Sequence, residues 1–257
     1  MTSVMVVATT MFCLGGILVG GAGIFALLAL GDLRALWTLR RIPVTPVTVR
    51  GRVAVEGVTE YGTAGPQLAP VTGEDCAWYR VTLLREPSRD STTGDYGPDH
   101  DVLLEITSPS WAALGDASGR VPIDPRLLDH PRALRDPTPG EPLVSITTEI
   151  EHRGSQPARL PRIVPPDVVR DLRRSERLRL TEVRVPRGVK VFALGRVTAT
   201  GLLPSRAGLT LLTPRSRAEV ITSRRDAIGM GGRLAVWFGL IGLVLAAGSA
   251  VWLRTMG

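Results

Sequence analysis

Cysteine, histidine, lysine and aromatic side chains are all scarce in this chain of 257 residues: two Cys, three His, one lysine (Lys190) and twelve aromatics. Each scarcity excludes something. Two cysteines cannot build a disulfide framework, and with Cys13 inside an apolar run and Cys76 outside it, Cys76 reads as a free thiol suited to a reducing compartment. A structural zinc site takes four Cys or His ligands and a paired site eight, so five candidates cannot fill a paired site. His100, His130 and His152 stand far apart, with no H-x-x-x-H or C-x-x-C spacing, and no metal or other cofactor is expected. The aromatics are not interleaved with basic residues and no nucleic-acid motif appears, so nucleic acid is not an expected partner despite the formal net charge of +7. Every basic residue but Lys190 is arginine, a skew that, with abundant Ala, Gly, Pro and Val, looks like high-GC bacterial coding and overstates the need for arginine. Neither G-x-x-x-x-G-K-(S/T), G-x-S-x-G nor a spaced Gly-rich dinucleotide signature is present.

Hydrophobic length is present instead, and the mean hydropathy is +0.15. Residues 4–30, "VMVVATTMFCLGGILVGGAGIFALLAL", and 234–253, "LAVWFGLIGLVLAAGSAVWL", carry no charge. Each exceeds the roughly 18–20 apolar residues that cross about 30 Å of hydrocarbon as a helix. The first lacks a positive n-region, is too long for a signal-peptide core and has no A-x-A site before Asp32, so it reads as a retained helix. Trp37, Trp237 and Trp252 fall near the expected ends, where indoles favour the headgroup layer. Gly16 and Gly20 make a G-x-x-x-G, and Gly242, Ala246 and Ala250 a small-residue stripe, faces on which the two helices, or two copies in a homo-oligomer, would pack.

Arginines set the orientation. Arg34, Arg40, Arg41 and Arg50 follow the first run, and Arg215, Arg217, Arg224, Arg225 and Arg233 precede the second, against Arg254 alone on the other side. Positive charge stays in the cytoplasm, so a multi-pass protein of the cell membrane is expected, its central domain cytoplasmic. The bilayer is then a partner, with Arg34, Arg40, Arg41, Arg224, Arg225 and Arg233 facing anionic inner-leaflet lipid. Residues 31–42 extend the first helix, either along the membrane surface or as plain continuation, and residues 216–233 form a basic juxtamembrane linker.

Between the helices, residues 43–215 read as mainly β, a small barrel or sandwich with one short helix. Val47, Val49, Val53 and Val55 alternate with polar or small residues, and further strands are expected over 76–85, 101–107, 119–123, 143–150, 181–185, 189–199 and 208–213. Thr72-Gly73, Gly94-Asp95, Ser118-Gly119 and Arg187-Gly188 supply turns. Residues 87–100 form a polar hairpin loop, 124–142 a Pro-rich excursion, and 166–179 a solvated charged helix opened by Pro166 and Asp167.

The stretch "APVTGEDCAWYRVTLL" from residue 69 places a rare cysteine beside two aromatics. Cys76 could be a nucleophile, a metal ligand or a packed core residue. A nucleophile would need a His base and an orienting group, and Glu74 and Asp75 would raise the thiol pKa. Alternation puts Ala77, Tyr79, Val81 and Leu83 on one face and Cys76, Trp78, Arg80, Thr82 and Leu84 on the other, bulky on both sides, which favours packing.

Leu68, Ala69, Pro70, Gly73, Cys76, Trp78, Tyr79 and Arg80 together resemble the opening block of the GIDE domain, also called BAM for "beside a membrane". "DASGRVPIDP", with Asp116, Gly119, Val121, Ile123, Asp124 and Pro125, looks like the family's D-x-x-G-x-V-x-(I/V)-x-P strand. "PRGVKVFALGRV" matches at Gly188, Val191, Leu194 and Gly195, although Val189 stands where the family often has an acid. The family places this domain between two transmembrane helices in MULAN-type mitochondrial RING ubiquitin ligases and in bacterial and archaeal membrane proteins. The resemblance implies a membrane-proximal module that binds an unidentified protein partner or influences assembly. Ligase activity in the mitochondrial members resides in a RING after the second helix, where this sequence has only "RTMG", so that activity is not carried over.

Overall fold

A computed structural model describes residues 2–89, 99–128, 144–154, 160–205 and 209–256. His130, the Gly94-Asp95 turn and most of the two excursions at 87–100 and 124–142 lie outside the described residues. The chain divides into two compact units, residues 1–43 with 217–257, and residues 44–216.

The first unit is a hairpin of two 40-residue helices, α1 (Thr2–Arg41) and α3 (Arg217–Met256). Both are long and apolar enough to cross a membrane, and only 6% and 11% of their most apolar windows are buried, unlike the core helix of a water-soluble fold. A 40-residue helix runs about 60 Å, twice the hydrocarbon thickness. Residues 31–41 therefore continue α1 without a break, and residues 217–233 are the first turns of α3.

The inward side of α1 repeats every seven residues, as Ala8, Gly15, Ala22, Ala29 and Leu36, with Leu18, Phe25, Asp32 and Leu39 at the intervening positions. Small residues at that interval let the backbones close in. A Cβ on Gly15 would stand 2.7 Å from the Gly242 carbonyl oxygen and the Ala246 nitrogen. Gly242 and Ala246 thus pack as expected, whereas Gly16 and Gly20 have nothing within 4 Å, and Gly15, one residue away, makes the contact. Farther along, Phe25 and Phe238 meet edge to face at 5.5 Å. Asp32 pairs with Arg224, and the Arg217 guanidinium donates to the carbonyls of Leu39 (2.6 Å) and Ile42 (3.0 Å), satisfying the open end of α1.

The second unit is mainly β, with antiparallel pairing between its named strands among the described residues, so the fold class expected from the alternation is what the chain adopts. One sheet runs β11 (Leu202–Leu203), β10 (Lys190–Val197), β1 (Gly51–Glu60), β6 (Ala113–Asp116) and β7 (Gly119–Pro122), with β12 (Leu211–Thr213) also paired to β10. The other runs β5 (Asp101–Thr107), β4 (Trp78–Glu86), β9 (Arg177–Val185) and β8 (Ile146–Arg153). A two-stranded ribbon, β2 (Gln67–Leu68) and β3 (Asp75–Cys76), precedes β4.

The one α-helix of this unit among the described residues, α2 (Pro166–Arg170), stops well short of the expected residue 179. Leu178 and Leu180 are buried and alternate with half-exposed Arg177 and Arg179, a period of two, so the charged residues line a strand face and β9 begins at Arg177. Nor is α2 fully solvated: Val168 and Val169 pack against the cluster of Val81, Leu83, Leu178 and Leu180. A larger cluster joins Val53, Val55, Leu114 and Ala193 of the first sheet to Trp78 and Val185 of the second. β4 is thus covered on both sides, Trp78 entering one cluster and Val81 and Leu83 the other.

Candidate functional site

The residues that the sequence singles out are taken up by local structure. The six residues between β2 and β3 close a turn in which the Gly73 amide donates to the Ala69 carbonyl at 2.8 Å and Gly73 adopts φ +72°, where a Cβ is strained. Pro70 is exposed in this turn. The turn is fastened from beneath by Glu182, a fully buried carboxylate of β9 that accepts from the Val71 amide (2.6 Å) and the Thr72 hydroxyl (2.7 Å). Beside it, Arg184 pairs with Glu74.

Cys76 is fully buried, its Sγ 3.6 Å from the Gln67 carbonyl. Burial first, then the charges of Asp75 and Glu182, push its thiol up to about 11 against a smaller opposing pull from Arg184. A thiol held there is protonated at neutral pH and is a poor nucleophile. Trp78 is 1% exposed, with the Arg80 guanidinium 5.5 Å from its ring centre. Tyr79 is tied to Ser108 twice: the Ser108 amide donates to the Tyr79 carbonyl at 3.0 Å, and the Tyr79 amide donates to the Ser108 hydroxyl at 3.4 Å.

The second and third blocks are likewise corners of the fold. Asp116 accepts from the Val47 amide (2.9 Å) and from the amide and hydroxyl of Ser118, closing the β6–β7 turn that holds Gly119. Burial alone would raise the Asp116 pKa, but these bonds bring it below the usual range. Asp124 caps the short 3-10 helix at Pro125–Leu127 and takes three further bonds from the Arg126 guanidinium, which outweigh burial and lower its pKa. Gly188 lies in the β9–β10 turn, latched by buried Thr59: its hydroxyl donates to the Pro186 carbonyl (2.7 Å) and accepts from the Val189 amide (2.9 Å). At Gly195 a Cβ would fall 2.7 Å from the Leu203 carbonyl oxygen, so glycine lets β11 close on β10.

Among the described residues no three His, Cys, Asp or Glu side chains are grouped to hold a metal. Of the arginines expected to face lipid, Arg34, Arg40, Arg41, Arg225 and Arg233 are exposed, Arg41 lying over the Trp37 ring at 4.8 Å. Arg224 instead turns inward to Asp32, because the seven-residue interval puts both on the facing sides of the hairpin.

One recess is built by residues that sequence reading passed over. A cleft of about 510 Å³ lies between the loop after β1 and the loop before β6, lined by Tyr61, Pro109, Trp111, Arg120, Pro122 and Thr200 among others. Its walls are fixed from behind. The Tyr61 hydroxyl bonds Asp75 and the Arg187 guanidinium covers the ring at 4.9 Å, while the Ala64 amide donates to the Ser110 hydroxyl at 3.2 Å. Trp111 is 36% exposed, the one tryptophan of the β unit that is not buried. Its position between Ser110 and Ala112 in "SPSWAAL", outside any apolar alternation, was the available signal.

Comparison with protein-family models, with curated proteins and with solved structures gives no match.

Proposed function

We propose that this chain is a two-pass membrane protein of the cell membrane whose β unit is a non-catalytic, GIDE-like binding or scaffolding module, carried on the cytoplasmic side and serving a protein partner. The observation that carries the reading is the state of Cys76: the one thiol of the β unit is sunk beneath the β2–β3 turn with its pKa pushed up to about 11, and its neighbours Glu182 and Arg184 are spent on holding that turn. The residues of the GIDE-like pattern therefore act as fold determinants. The exposed arginines at the inner ends of α1 and α3 add affinity for anionic lipid, at about 1 kcal/mol each near such a surface.

The test uses the full chain in detergent with a ubiquitin-conjugating enzyme charged with ubiquitin, alongside iodoacetamide labelling at pH 7.5 read by mass spectrometry. Discharge no faster than in buffer, and Cys76 alkylated at least about a hundredfold more slowly than a free thiol, are expected. Accelerated discharge, or rapid labelling of Cys76 in the folded protein, would overturn the non-catalytic reading.

A further inference from the structure

We propose that the cleft between Tyr61 and Trp111 is the recognition site of the β unit, and that its ligand is a proline-containing segment of a partner protein in the polyproline II conformation, flanked by acidic residues. The inference rests on the reading of the β unit as a binding module. Its basis is the match of donors to acceptors. Proline has a carbonyl but no N–H, and polyproline II makes no internal hydrogen bonds, so such a segment offers unpaired acceptors and flat apolar rings with few donors.

The cleft offers the converse. Its lining includes two aromatic rings, Tyr61 and Trp111, the flat rings of Pro109 and Pro122, the hydroxyls of Thr63, Ser110 and Thr200 and, among the described residues, no carboxylate or amide side chain. The Trp111 indole can only donate, and among the described residues its N–H has no partner. Arg120, 67% exposed in the lining, can also only donate; its Nε holds Glu60 at 2.8 Å. Arg187, exposed over the Tyr61 ring, adds positive charge at the rim for an acidic flank. Sugar sites also use aromatic platforms, but a sugar is rich in hydroxyl donors, and among the described residues this lining offers them hydroxyls and no carboxylate.

The walls are preformed, so binding spends little on ordering them. The Tyr61 ring is held on one face by Arg187 and at its hydroxyl by Asp75, and a Cβ on Gly62 would lie 1.9 Å from the Trp111 carbonyl oxygen, which shows how closely the two loops are pressed. A space of about 510 Å³ lies within the range of specific small-ligand sites and takes a few residues of extended chain.

The experiment titrates the full chain in detergent into a fluorescein-labelled peptide of ten prolines with two glutamates at each end, read by anisotropy. The same peptide with alternate prolines replaced by alanine, and a labelled chitotriose, serve as competitors in kind. Saturable binding with a Kd on the order of 100 µM is expected, weakened at least about tenfold in the alanine peptide and in Trp111→Ala. Trp111→Phe keeps a ring but loses the N–H and should weaken binding at an unchanged melting temperature, which answers for the fold if Trp111→Ala does not. No saturation below about 1 mM, equal binding by the alanine peptide, equal binding by both Trp111 variants, or binding of chitotriose in place of the peptide would each overturn the proposal. So would a fall in assembly mass on Trp111→Ala, which would assign the cleft to a second copy. A negative peptide result with Cys76 still unreactive and no ubiquitin discharge would sink the cleft alone and leave the non-catalytic module standing.

Discussion

Single side chains in the β unit divide between those that fill space and those that hold corners. Trp78 does the first, and Trp78→Ala should cost about 3–5 kcal/mol, read as a lowered denaturation midpoint of the full chain. An unchanged midpoint would mean that the indole is not core. Glu176 does the second: buried, it receives both arms of the Arg89 guanidinium at 2.8 Å, and that partner first, then the Arg173 amide, bring its pKa from 4.5 down to about 2 against the penalty of burial. Asp101 is brought from 3.8 to about 2 by the Ser88 hydroxyl, the Arg89 amide and Arg85. A carboxylate depressed in the folded state stabilises it above its ordinary pKa and loses that contribution as protons bind. Melting temperature should therefore hold steady above about pH 5 and fall between about pH 4.5 and 2, with a shallower fall and a lower plateau for Glu176→Gln. A Glu176→Gln profile that parallels the wild type would assign the acid loss elsewhere.

Elements repeat this division at larger size. Thr59→Val keeps the shape of the β1 residue but leaves the Val189 amide and the Pro186 carbonyl without their partner inside the protein, a loss of about 1–3 kcal/mol by denaturant melt. In the hairpin, Gly15→Leu should lower the melting temperature in detergent sharply and Gly16→Leu should not, because only Gly15 sits against α3. Equal effects would mean that the helices pack on another face, and a change of assembly mass confined to Gly16→Leu would reveal a second copy there.

Much of this was legible beforehand. Strand β5 coincides with residues 101–107, because the short apolar run of Val102, Leu103, Leu104 and Ile106 is bounded by polar turns. The helix expected to residue 179 was not, since "RRSERLRL" carries charges at spacings that suit a helix, while only burial of Leu178 and Leu180 reveals the period of two. Strand β6 was missed because "ALGD" is four residues long with no alternation to read. The cleft could not be read at all: Tyr61 and Trp111 lie fifty residues apart and meet only because Glu60 of β1 pairs with Ala113 of β6.

For the whole molecule the distribution of charge matters most. Residues 31–41 and 217–233 hold seven arginines against three carboxylates, more than half of the net charge of +7. The positive-inside rule is what supports the proposed cytoplasmic side for the β unit. A cysteine placed at exposed Ser175, in a background lacking Cys13 and Cys76, should resist a membrane-impermeant maleimide in intact cells and react after lysis. Labelling in intact cells would reverse the orientation and send the search for a partner to the envelope.

The seven-residue interval along α1, from Ala8 through Gly15, Ala22 and Ala29 to Leu36, also sets the sense in which the two helices wind. A repeat of seven falls slightly short of two full turns of 3.6 residues, so the hairpin coils left-handed, and every contact along it shares one rotational phase. One alanine inserted after Leu30 would swing Asp32, Leu36 and Leu39 by about 100° around the axis, parting Asp32 from Arg224 and lifting the Arg217 cap from the end of α1. Seven inserted residues would shift those polar contacts about 10 Å along the axis but preserve the phase, so the apolar face of α1 should stay on α3 after the longer insertion and leave it after the shorter one.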